Sequence, residues 1–162
     1  MVTSPRFLGP LEIRKLTRGR WWLLSALEYE SVVAQERLIV PAEFISDLAS
    51  VPRLPFAYWL TGNTGHGAAV VHDWLYQHPA FPDRRLADAV LREALGVHQP
   101  ALGHEAEPMW RRRAMWGAVR AFGWWPWRGS KRRAAGLNPD WTAQGWPGIG
   151  SRRAGEPPKQ NT

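Results

Sequence analysis

At 162 residues, 44% apolar and 22% charged, the chain has material for one compact domain and is too apolar to be disordered throughout. It has no cysteine, which excludes disulfides and thiolate metal sites. The net charge of +7 is uneven: residues 123–162 hold seven Lys/Arg against Asp140 and Glu156, which accounts for +5 of it.

No apolar run approaches the roughly 20 residues that span a bilayer, so no transmembrane segment is expected. Met1 to Pro10 lacks the basic-then-apolar pattern of a secretory signal. Eleven tryptophans stand out, six before residue 123 and five after it. Tryptophan favours cores, interfaces and half-wet surfaces, because it joins a large apolar area to one polar handle.

In chain order, Leu11 to Thr17 alternates and is followed by the turn signal Arg18-Gly19. Arg20 to Glu30 is rich in aromatic and aliphatic residues, and Glu36 to Val40 is a third apolar run, closed by Pro41. Three strands in an antiparallel meander are predicted. Pro52 and Pro55 punctuate the next stretch, with a short helix expected from Pro55 to Leu60. Gly62, Gly65 and Gly67 then mark an irregular loop.

A helix is predicted from Ala68 to Gln77 and a second after Asp83, its N-cap, with Leu86, Val90, Leu91, Ala94 and Leu95 as its apolar stripe and Gly96 as its stop. A last helix begins near Pro108 and ends at Phe122 before Gly123. The fold class that results is α+β: a small antiparallel three-stranded sheet followed by a helical half of three to four helices. Residues 1–123 form the domain. Residues 124–162 form a basic, Trp/Gly/Pro-rich tail without periodicity, expected to be disordered or docked on a partner.

The sharpest local feature is His72-Asp73-Trp74-Leu75-Tyr76. On a helix His72 and Tyr76 share a face, and Asp73 points about 100° away from His72. The next helix carries Asp88, flanked by Arg84, Arg85 and Arg92. If the helices pack antiparallel, Asp88 faces His72 and Tyr76. A carboxylate on one imidazole nitrogen fixes the tautomer and leaves the other nitrogen free to deprotonate a water. His72, Asp88 and Tyr76 are therefore the candidate catalytic residues. Asp73 and Asp47 are the candidate metal ligands, for calcium first and zinc second, because oxygen ligands suit hard cations. The rival account is structural: Asp88 pairs with Arg84 or Arg92 at helical spacing, and His72 is a hydrogen-bonded interior histidine.

The blocks FISDLASVPR at Phe44 to Arg53, HDWLY at His72 to Tyr76 and RLAD at Arg85 to Asp88 resemble the domain of unknown function 1353 family, over roughly residues 36–123. Ser46 fits the family's serine or threonine before the aspartate, while Ala42 stands where the family usually has glycine. The resemblance implies a phage or prophage setting and supplies no mechanism. A weaker likeness is to secreted phospholipase A2, in which a His-Asp-x-x-Tyr run faces an aspartate on the next helix and the aspartate after the histidine holds calcium. His72, Asp73, Tyr76 and Asp88 follow that order, but the disulfides and the calcium loop of that family are missing.

Three functions are in competition. The first is a phage-associated, metal-assisted hydrolase acting on an ester or amide of the host envelope. The second is a non-catalytic virion component, a tail or assembly protein, whose C-terminal tail docks onto neighbouring phage structural proteins through tryptophan and arginine anchors. The third, nucleic-acid binding, rests on charge alone, and no recognised module frames the basic residues. Virion and host cytoplasm are the locations these readings allow.

Overall fold

The computed structural model describes residues 1–17, 20–46, 65–78, 83–98 and 106–129. Asp47, the short helix expected at Pro55 to Leu60, most of the glycine-bearing loop and the tail beyond residue 129 lie outside them.

The α+β order holds, with strands first and helices after. The strands are β1 (Arg6–Phe7), β2 (Ile13–Thr17), β3 (Arg20–Leu23), β4 (Leu27–Ser31), β5 (Glu36–Val40) and β6 (Ile45–Ser46). They form two three-stranded antiparallel sheets, ordered β1-β4-β5 and β2-β3-β6, where the sequence led us to expect one meander. The run Arg20 to Glu30 is two strands in different sheets, broken at residues 24–26.

The first sheet has one dry face. Leu27, Tyr29 and Ser31 of β4 are buried in alternation, and the register sets Leu27 opposite Val40 and Tyr29 opposite Leu38, both buried. These period-2 pairs give the helices a flat apolar floor. In the second sheet Arg14 lies opposite Trp22 and Lys15 opposite Trp21, and each cation sits about 6 Å from its partner's ring. Exposed cross-strand cation–π contacts thus use two of the tryptophans.

The helices are α1 (His66–Gln77), α2 (Arg84–Ala94), α3 (Met109–Phe122) and a short α4 over 124–129. In α1 ten of twelve residues are buried, Gly67 through Tyr76, so it is the central helix and meets neighbours on every side. Its N-cap Gly65 has φ 75, a left-handed backbone that suits glycine. A Cβ there would lie 2.8 Å from Leu95 Cδ2, so the end of α2 seals the start of α1.

The predicted caps of α2 are present. Asp83 accepts from the Arg85 backbone N–H at 2.8 Å, and Gly96 N–H bonds the Glu93 carbonyl at 2.9 Å past the last turn. Pro108 and Gly123 bound α3 as expected. Among the described residues the left-handed non-glycine positions are Gln35 and Glu43, so the turn containing Ala42 places its unusual backbone one residue later. Residues 124–129, read from sequence as the first part of the tail, are helical, and Trp127 packs edge-on to Tyr76 with ring centroids 5.0 Å apart.

Candidate functional site

Three helices meet on the carboxylate of Asp88, which is 0% exposed. From α1, His72 places Nε2 at 3.1 Å from Oδ1, and the Tyr76 hydroxyl donates to the same oxygen at 2.5 Å. From α3, Arg120 Nη1 donates to Oδ2 at 3.0 Å. On α2 itself Arg84 Nε lies 3.8 Å from Oδ2, and its Nη2 donates to the Arg120 carbonyl at 2.8 Å. The i, i+4 spacing sets the His72 and Tyr76 rings side by side, centroids 4.1 Å apart and tilted by 45°, so one face of α1 offers two donors to one oxygen. Gly123 makes room for this: a Cβ there would stand 2.6 Å from the Tyr76 hydroxyl oxygen.

The network fixes the charges. Burial pushes the Asp88 carboxyl upward, but hydrogen bonds from His72, Tyr76 and Arg120 outweigh it and hold the group below its ordinary value. Burial, then the bond to Asp88, pushes the Tyr76 phenol above its usual range. At neutral pH the carboxylate is therefore ionised and the phenol intact. An ionised Oδ1 accepts only, so His72 donates Nε2–H to it, and in the neutral ring the lone pair resides on Nδ1. Nδ1 makes no hydrogen bond among the described residues. Chemically, the arrangement is an oriented imidazole with one basic nitrogen unspent. The ring itself is 3% exposed.

Asp73 is turned to a different neighbour. Buried at 7% exposure, it accepts the Ser46 hydroxyl of β6. The β3–β6 pairing, Trp21 opposite Ser46, holds Ser46 there. Asp47, the other expected ligand, lies outside the described residues. Among the described residues no group of three His, Cys, Asp or Glu could hold a metal ion. One carboxylate and one hydroxyl fall short of the six to eight oxygens calcium takes and of the three or four ligands zinc takes. The described donors do not fit either ion.

The sequence pointed to His72, Tyr76 and Asp88 together, and the structure brings them together. It did not point to Arg120, which is 32 residues beyond Asp88 and signalled by no local pattern. Nor did it point to Glu93, whose carboxylate accepts the Tyr29 hydroxyl, the Ser31 hydroxyl and the Val33 N–H at 3.0, 2.7 and 2.9 Å. The spacing Asp88 to Arg84 was visible, and Arg84 proves the more distant of the two guanidinium partners.

The family model described as a protein of unknown function, DUF1353, matches residues 21–119. That match covers most of the chain, from β3 into the last turn of α3, and among the described residues it includes each hydrogen-bond or ion-pair partner of Asp88 except Arg120. The chain belongs to the DUF1353 family. No curated protein and no solved structure matches it. Among the described residues, no helix of this DUF1353 member is long and apolar enough to cross a membrane.

Proposed function

We propose that this DUF1353 protein is a hydrolase in which His72 acts as general base through Nδ1, with Asp88 as its orienting carboxylate. One observation carries the reading: Nε2 is committed to an ionised aspartate while Nδ1 has no hydrogen bond among the described residues. Tyr76 and Arg120 position the carboxylate rather than the reactant, since both bond Asp88. The bond attacked is an ester or amide, the classes that a base-activated water opens. A phage setting follows from the sequence resemblance, and an ester or amide of the host envelope is the substrate we propose for it.

A second reading has its own support. Asp88 ties α1, α2 and α3 together at full burial, as the keystone of a non-catalytic particle component would. In that reading the chain beyond residue 129 docks onto neighbouring subunits.

The test is hydrolysis of a panel of p-nitrophenyl esters and p-nitroanilides by the purified full chain, with His72→Ala and Asp88→Asn alongside. Turnover that disappears in His72→Ala, with the fold intact by circular dichroism, supports the enzyme. Turnover that survives His72→Ala, or is absent from the unaltered chain across the panel, leaves the structural reading standing.

A further inference from the structure

Between α2 and α3 lies an open groove of about 710 Å³. Four guanidinium groups line it: Arg85 and Arg92 from α2, Arg112 and Arg120 from α3. The spacing follows from helix geometry, since Arg85 and Arg92 are two turns apart on one face of α2, as Arg112 and Arg120 nearly are on α3. The indole of Trp116 forms part of the wall, with the Arg92 guanidinium 5.7 Å over its ring.

Among the described residues Glu93 is the only acid of the lining, and its two oxygens are already occupied by Tyr29, Ser31 and the Val33 N–H. Two of the arginines have fixed work. Arg120 bonds Asp88, and Arg112 donates Nε to the Arg92 carbonyl at 3.2 Å, with its guanidinium packed on Gly96 where a Cβ would collide with it. Arg85 and Arg92 have no carboxylate partner among the described residues. With Arg120 paired to Asp88 and Glu93 spent on β4 and Val33, the guanidinium groups of Arg85, Arg92 and Arg112 leave the described lining with a positive surplus beside an aromatic wall. Its volume lies in the range of small-molecule sites, roughly 300–1,000 Å³.

We infer that this groove binds a small organic phosphate. A phosphoryl group offers a dianion whose oxygens match the planar two-donor fork of arginine, and Arg85 and Arg92 have such forks to give. A carboxylate, with a single charge, balances the surplus less completely. The organic part lies along Trp116 and Ala89, which supply the uncharged stretch of the lining. Arg112, held from behind by Gly96 and the Arg92 carbonyl, is prepositioned at little entropic cost. The binding rests on Arg85, Arg92 and Trp116, none of which takes part in the proposed hydrolysis, although Arg120 borders both places.

Calorimetric titration of the full chain in low salt tests it, with phenyl phosphate and inorganic phosphate as the two probes. Phenyl phosphate binds at one site per chain. The double variant Arg85→Gln/Arg92→Gln weakens both probes by about tenfold or more, as loss of charge-assisted bonds requires. Trp116→Leu weakens phenyl phosphate and leaves inorganic phosphate as it was. Ala89→Glu, which places a carboxylate in the groove, abolishes binding of both. Arg113→Gln, an exposed arginine of α3 outside the lining, changes neither. The inference is overturned if the unaltered chain takes up neither probe, or if the double variant binds as the unaltered chain does. Equal weakening by Arg113→Gln overturns it too, since the effect is then net charge. None of these readouts needs turnover, so the hydrolase reading and the groove fail or survive separately.

Discussion

The Tyr29 hydroxyl of β4 donates to Glu93 of α2 at 3.0 Å, across 64 residues of chain. With Ser31 and the Val33 N–H on the same carboxylate, this is a polar clasp between the first sheet and the second helix. Glu93→Ala removes three bonds to a charged acceptor and strands the Tyr29 hydroxyl, which is 0% exposed. The expected loss is about 3 kcal/mol in urea unfolding, with the slope of the transition unchanged. A loss under about 0.5 kcal/mol, the noise of ordinary surface changes, rules the clasp out as a stabilising element.

Asp88→Ala leaves Arg120, Tyr76 and the His72 N–H facing a void, and costs about 3–5 kcal/mol as removal of one partner of a buried pair does. Asp88→Leu combined with Arg120→Met is less destabilised than the sum of its single changes, because the second substitution removes the stranded charge. A double-mutant cycle by denaturant titration measures the difference. Strict additivity means the two side chains are not coupled.

Stability depends on pH at both ends of the scale. The Asp88 carboxyl is held below its ordinary 3.8 in the folded chain, so its contribution is complete above that pH and is lost as pH falls below it. Tyr29 and Tyr76 are both raised above an ordinary 10.0, so their contribution is complete below pH 10 and declines as pH rises beyond it. Thermal midpoints measured from acid to alkali are expected to fall on both flanks. In Tyr76→Phe the alkaline fall is shallower. The acid fall is shallower as well, because Asp88 has lost one of the bonds that depress it and has less stability to give up on protonation.

Gly65→Ala meets two obstacles, the left-handed φ of 75 and Leu95 Cδ2 at 2.8 Å from the new carbon. The expected cost is at least about 1 kcal/mol. Gly117→Ala is the comparison, since a Cβ there meets nothing within 4 Å and alanine favours the helix interior. The two substitutions should shift the thermal midpoint in opposite directions.

Trp127 places its ring against Tyr76 beyond the point where sequence composition marks the end of the domain. A chain stopped after residue 129 is expected to unfold like the full chain. A chain stopped after residue 123 is expected to lose about 1–2 kcal/mol, through the aromatic contact and the area it covers. Equal stability of the two truncations would place the boundary at Gly123 after all.

How much of this was legible differs by element. Helices α2 and α3 were written in local chemistry, with Asp83 and Pro108 at their starts and Gly96 and Gly123 at their ends, and both are found. The meeting of His72, Tyr76 and Asp88 followed from an i, i+4 pair and one acid on the following helix. The division of Arg20 to Glu30 between two sheets was hidden, because Leu24-Ser25-Ala26 contains no glycine or proline to mark the corner. Strands β1 and β6 are two residues each, too short for any alternation to register. Arg120 and Glu93 were out of reach for a different reason. Their partners lie 32 and about 60 residues away, and only the packing of the helices on the sheet decides those distances.

The strand order also sets a sequence of events. β4 and β5 are joined by four residues, and such hairpins close in about 1–10 μs. β1 must find β4 across Arg6 and Glu30, and β6 must find β3 across Trp21 and Ser46, each a longer and entropically slower search. A nascent chain therefore holds an early hairpin whose apolar face, Leu27, Tyr29, Leu38 and Val40, waits uncovered until α1 emerges and settles on it. Synthesis from the N-terminus makes that interval unavoidable, and the speed with which α1 docks governs how much of the protein escapes aggregation.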